Sequence, residues 1–155
     1  MRIAGIDPGV DGAVGIFDTD TGLVEVEDLP TGPHGIDPVA LQELLTDAWG
    51  VRSVYLEDNR ANGRNGSLAN FSMGRSEGLI VATVLCAGIP LHRVRPTQWQ
   101  RAVGLSNVKT GERKEASRLR AREMYPEVAD KLKRKKDHNR AEALLIATYG
   151  RTGPA

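Results

Sequence analysis

Arg2-Ile3-Ala4-Gly5-Ile6-Asp7-Pro8-Gly9-Val10-Asp11-Gly12-Ala13-Val14-Gly15-Ile16-Phe17 decides how this chain folds. Two short apolar runs, 2–6 and 13–17, flank a turn built from Asp, Pro and Gly, the residues that make tight reversals. A second polar turn, 18–22, leads into 23–29, where Val24 and Val26 alternate with Glu25 and Glu27, as on a half-exposed strand. Three strands joined by short turns predict an antiparallel meander.

Beyond it the pattern changes period. Residues 31–38 read as a loop. Val39, Leu41, Leu44, Leu45 and Ala48 recur at helical spacing, and Gly50 ends that helix. Residues 51–57 read as a buried strand, 68–87 as a long helix and 89–94 as a fifth strand. Shorter helices follow at 97–103 and 112–124, a basic one at 128–136 and a last one at 140–149. A helix between the third and fourth strands permits a crossover, so the sheet is expected to be mixed. The fold class is α/β: a five-stranded mixed sheet flanked by helices.

The 155 residues are the length of one domain, 1–155. With 40% hydrophobic and 26% charged residues, the composition is that of an ordinary globular chain. The single Cys excludes an internal disulfide or a cysteine zinc site. No apolar run approaches the roughly 18 residues of a membrane span, and Asp7 and Asp11 interrupt any signal-peptide core. The expected compartment is the cytoplasm. The net charge of +1 hides an asymmetry: residues 92–140 hold 15 Lys+Arg against 6 Asp+Glu, the remainder 6 against 14. An acidic centre beside a basic surface suits metal-assisted chemistry on nucleic acid.

Four acids carry that expectation. Asp7 ends the first strand and Glu57 the fourth; Asp137 precedes the last helix and Glu142 lies in its first turns. A charge at the end of a buried strand is costly unless it is paired or binds a metal. If the first and fourth strands are neighbours, Asp7 and Glu57 lie side by side, and a divalent cation removes their repulsion. Mg²⁺ prefers hard oxygen ligands, and two such ions can activate a water and stabilise the leaving oxygen of a phosphodiester. Plainer roles compete: Asp7 as a turn cap, Glu57 as a solvated strand end, Asn139 with Glu142 as a capping box, His138 as a surface histidine.

Ile3-Ala4-Gly5-Ile6-Asp7-Pro8-Gly9, Tyr55-Leu56-Glu57, Phe71-Ser72-Met73-Gly74-Arg75-Ser76, Arg95-Pro96-Thr97-Gln98-Trp99, Lys114-Glu115-Ala116-Ser117 and the run from Lys136 to Leu144 occur in that order. Together they resemble a RuvC-type Holliday junction resolvase in its compact bacteriophage form. The resemblance implies a ribonuclease H-like fold and a homodimer. It implies paired nicks in four-way DNA junctions with Mg²⁺ or Mn²⁺, two ions per site. For a phage protein the compartment is the host cytoplasm. Asp7 resembles the first catalytic acid, Glu57 the second and Glu142 the last. Bacterial members carry a further acid three residues before the last one, where this chain has Asn139. Asp137 is therefore expected to complete the metal site, with His138 in reserve. The aromatic that follows the second acid in bacterial members is missing; Arg60 stands three residues on, and Phe71 is expected in the core.

Arg113, Lys114 and Arg118 crowd one expected helix, Lys109 precedes it, and Lys133, Arg134, Lys135 and Lys136 run toward Asp137. These, with Arg60 and Arg64, are the expected DNA contacts, Lys114 reaching the reacting phosphate as the corresponding lysine does in the family. The helix 68–87 has more than one apolar face and is expected to form the dimer. Competing readings are a looser nuclease for flapped or single-stranded DNA and a catalytically silent DNA-binding protein. The Asp7-Pro8-Gly9 turn is also similar to the phosphate loop of actin-like ATPases, but those need two such domains, so no nucleotide cofactor is expected.

Overall fold

The computed structural model describes residues 1–9, 11–58 and 66–152. Strands β1 (Arg2–Asp7), β2 (Ala13–Asp18) and β3 (Val24–Asp28) form the meander. A two-residue-per-strand hairpin, β4 (Thr31–Gly32) and β5 (Gly35–Ile36), stands where a loop was expected. Helix α1 (Pro38–Glu43), capped by Asp37, widens into a π turn over Leu44–Ala48. Then come β6 (Ser53–Glu57), α2 (Ser67–Cys86), β7 (Leu91–Val94), α3 (Pro96–Ala102), α4 (Arg113–Met124) and α5 (His138–Thr152).

The main sheet has the order β3-β2-β1-β6-β7. β1 pairs antiparallel with β2 and parallel with β6, and β7 pairs parallel with β6. β1 and β6 are thus neighbours, as the placement of Asp7 and Glu57 required. The expected α/β, ribonuclease H-like five-stranded mixed sheet, three antiparallel strands then two parallel, is the observed one.

Period-two alternation sends β-strand side chains to two separate cores. Ala4, Ile6, Val54 and Leu56 pack with Leu41, Leu45, Ile80 and Val84 under α1 and α2. Ile3, Phe17, Tyr55 and Val94 pack with Trp99, Ala121, Leu144 and Ala147 under α3, α4 and α5. On this second face α5 lies directly on the sheet, and two glycines make that possible. A Cβ on Gly5 would fall 2.2 Å from the Ala143 carbonyl oxygen; one on Gly15 would fall 2.5 Å from the Leu144 Cα. Backbone meets backbone there, so α5 has one height and one register over β1 and β2.

Several boundaries shift for local reasons. β7 starts at Leu91 rather than 89 because the Ile89 amide bonds back to Val84 O and Pro90 has no N–H to give a ladder. The expected basic helix 128–136 is two 3-10 segments, Pro126–Leu132 and Lys135–Asp137. α5 begins at His138 because the Asp137 carboxylate bonds the backbone N–H of Arg134 at 2.7 Å and closes the preceding turn. Phe71, expected in the core, is 68% exposed on α2. No helix among the described residues is long and apolar enough to cross a membrane.

Candidate active site at the end of the central strands

Asp7 is the last residue of β1 and shares the face of Ile3 and Gly5, the face covered by α5. Continuing the parallel register Gly5–Tyr55 and Ile6–Leu56 by one residue sets Glu57 beside it. Glu142 immediately precedes Ala143, the residue seated on Gly5. Strand pairing and the glycine-permitted packing of α5 therefore deliver three acids to one end of the sheet. The turn after Asp7 is tied to the same helix, since Asn139 Nδ2 donates to Asp11 O at 2.6 Å. That bond employs the Asn139 amide otherwise than in the capping box with Glu142 that competed with a role for Glu142 at the site.

The electrostatics record the crowding. Asp7 is 8% exposed, and burial pushes its carboxyl well above the usual range, with Glu57 and Glu142 pushing it further and Lys114 opposing. Glu142 is pushed up to about 7, by burial first and Glu57 second. Lys114, exposed on α4, opposes this shift too. Ser117 is buried on the same helix and also lowers the Glu142 carboxyl, though its Oγ closes no hydrogen bond of good geometry with the described residues. Glu57, 7% exposed, accepts a 2.8 Å hydrogen bond on Oε1 from Trp99 Nε1.

Asp137 lies elsewhere. It is 3% exposed, but Arg134 grips it through Nη2 at 2.8 Å and Nε at 3.0 Å. Burial works against its charge, yet these bonds and the Arg134 amide hold its carboxyl below the usual range. The structure thus gives the Asp137 carboxylate to Arg134, whereas Glu57, Glu142 and Lys114 are the groups that bear on Asp7. His138 follows Asp137 at the start of α5. Its Nδ1 is 3.0 Å from Lys135 O, and the ring lines a separate cavity of about 430 Å³ with Asp11, Asp28, Lys136 and Asp137.

The expected DNA contacts divide as well. Arg118 is 8% exposed and spans α4 to the following turns, donating to Glu115 and to the carbonyls of Leu132 and Lys133 at 2.9 and 3.1 Å. Its guanidinium thereby braces α4 against the segment that leads to α5. Arg113 donates to Val108 O, and Lys133 pairs with Asp130 at 2.7 Å. Lys109, Lys114, Lys135 and Lys136 are exposed. Arg60 and Arg64 lie outside the described residues. Trp99 and Ser117 are the site neighbours whose contact with the acids periodicity did not reveal; no spacing rule reports where an indole N–H points.

Whether the site suits divalent ions turns on its donors. Among the described residues, no three of His, Cys, Asp and Glu already stand in ligating position about one point. Mg²⁺ does not need that: it keeps several waters and takes one or two carboxylates plus substrate phosphate. All three acids offer hard oxygens, and burial with like-charge repulsion disfavours the charge of Asp7 and Glu142 until a cation arrives. The donor set fits.

No sequence-family profile matches the chain, and no curated protein does. Solved structures do. Thermus thermophilus RuvC bound to a Holliday junction superposes with a TM-score of 0.68 at 21% identity, over 99% of this chain and 96% of that one. The fold is that of the RuvC-type resolvases. The fowlpox virus Holliday junction resolvase follows at a TM-score of 0.63 and 15% identity, over 98% and 97% of the chains. The yeast mitochondrial Holliday junction resolvase gives 0.57 at 16%, over 94% of this chain and 75% of its own. The RuvC likeness therefore spans almost the whole length, while identities this low speak for architecture alone.

Proposed function

We propose that this chain is a Mg²⁺-dependent endodeoxyribonuclease that resolves four-way DNA junctions by paired symmetric nicks. The observation that carries the reading is the convergence of Asp7, Glu57 and Glu142, Glu57 pushing up the carboxyls of both others and Glu142 that of Asp7, beside exposed Lys114. Similar chains are resolvases, two of them solved with a Holliday junction.

Asp7, Glu57 and Glu142 would hold the divalent ions, Mn²⁺ substituting for Mg²⁺. When bound, such ions supply charge at the scissile phosphate and ease the deprotonation of the attacking water. Asp7, touched electrostatically by both other acids, would be the one shared between two ion positions. Lys114 brings a cation to the same place and would hold a non-bridging phosphate oxygen. Exposed Lys109, Lys135 and Lys136 would fix the DNA backbone by phosphate contacts that carry no sequence information. In-line displacement then breaks the P–O3′ bond, leaving a 5′-phosphate and a 3′-hydroxyl that a ligase can join.

Two nicks on opposite strands need two centres related by a two-fold axis. The outward stripe of α2 supports a dimer at that helix. Phe71, Gly74, Gly78, Ala82 and Leu85 follow one another at helical spacing and all are exposed, Leu85 by 59%. A Cβ on either glycine would meet nothing within 4 Å, leaving room for a second backbone.

The test is a labelled mobile four-way junction incubated with Mg²⁺. Wild-type protein is expected to yield symmetric nicked duplexes, and Asp7→Asn to bind the junction without cutting it. Undiminished cutting by Asp7→Asn overturns the assignment. Equal cutting of a flap or a linear duplex would favour the looser nuclease, and binding without nicking the silent DNA-binding protein.

A further inference from the structure

Trp99 is 1% exposed, within the core beneath α3, α4 and α5, yet its one polar atom is spent on a candidate ion-binding acid. The placement is built by the chain's course. Glu57 pairs with Val94, the last residue of β7. α3 starts two residues later at Pro96, its entry fixed by the Arg95 amide donating to Gln98 Oε1 at 3.0 Å. Trp99 is thus carried one turn into α3, with its ring in the core and Nε1 at 2.8 Å from Glu57 Oε1.

An indole N–H is a donor only, has no charge and does not titrate in water. It can fix a carboxylate oxygen without neutralising the carboxylate. Asp137 shows the opposite treatment, its charge taken by the Arg134 guanidinium. Resting on the functional reading above, we infer that Trp99 is a positioning residue: it locks the Glu57 carboxylate by one oxygen and aims the other at the ion site. It touches neither DNA nor ion. Such partners behind a ligand are typically worth about 10–100-fold in metal affinity.

Trp99→Phe deletes the N–H and keeps a ring in the core. Val103→Ala, in the same core and with an apolar side chain that offers no hydrogen bond to a carboxylate, serves as a control for lost packing. Mn²⁺ titration of the DNA-free proteins by calorimetry is expected to show about 10-fold weaker binding for Trp99→Phe and unchanged binding for Val103→Ala. Tb³⁺ supplies a spectroscopic signature, because an ion held by Glu57 lies near the Trp99 ring and is sensitised by it. Of the two tryptophans, Trp49 packs on the other face of the sheet. Indole-excited Tb³⁺ emission should therefore survive Trp49→Phe and vanish in Trp99→Phe. Wild-type Mn²⁺ affinity in Trp99→Phe, or an equal loss in Val103→Ala, overturns the inference and leaves the nuclease reading standing. A wild-type chain that takes up neither ion overturns both.

Discussion

At the scale of single residues, the three converging acids are unlike the fourth. Asp7 and Glu142 have carboxyls raised by burial and by their neighbours, so the folded chain holds protons that the unfolded chain has released. Their charge opposes folding: the stability these two groups contribute is fully present below the ordinary carboxylate range and is lost as pH rises toward about 7, where Glu142 ionises. Ion-free protein should melt at a higher temperature at pH 5 than at pH 8, and Mg²⁺ should restore most of the difference at pH 8. Differential scanning calorimetry with and without EDTA measures both. Glu142→Gln should raise the ion-free melting temperature at pH 8 by several degrees, about 1–2 kcal/mol, while abolishing nicking. Asp137 has the opposite sign. Its lowered carboxyl contributes stability that is present above the unfolded pKa and lost as pH falls through the folded one. Asp137→Asn should cost about 1–3 kcal/mol in urea unfolding and leave nicking intact; lost nicking in a folded variant would return Asp137 to the reaction.

At the scale of elements, α5 is what converts a sheet into a site. It reaches the sheet because Gly5 and Gly15 carry no Cβ, and the clash that a methyl would create is with helix backbone, which cannot rotate away. Gly5→Ala should destabilise the fold by about 3 kcal/mol or more and lift Glu142 from Asp7, reducing nicking beyond what the lost stability explains. Urea midpoints with single-turnover cleavage separate the two effects. This is also where the sequence stopped being legible. The meander and the crossover follow from turn chemistry and apolar period, but the pairing of β1 with β6 entered the sequence reading only as the condition on which Asp7 and Glu57 would lie together, and the structure supplies it. The start of α5 could not be placed from residues alone. Whether Asp137 caps or ligates depends on where Arg134 reaches, and a guanidinium at the end of a flexible side chain leaves no trace in spacing. Phe71 failed for a related reason: an apolar residue on a helix says that something covers it, not that the same chain does.

At the scale of the whole molecule, the charge asymmetry in the sequence becomes an acidic sheet end opposed by Lys114 of α4, with Lys109, Lys135 and Lys136 exposed before α4 and α5. Junction affinity should fall steeply with salt, and removing Lys135 or Lys136 should each lower the log–log slope by about one without altering sequence preference. Fluorescence anisotropy between low and physiological salt reads this directly. The exposed stripe on α2 makes a second claim at this scale. Ala82→Arg should convert a dimer into monomers in sedimentation velocity and replace paired nicks by single, uncoupled ones. Everything depends on the acids of three separate elements serving one ion-binding centre. Anomalous diffraction from crystals grown with Mn²⁺ tests it most directly: the account predicts peaks bounded by Asp7, Glu57 and Glu142 and none at Asp137, whereas peaks at Asp137 and His138 with an empty sheet end would contradict it.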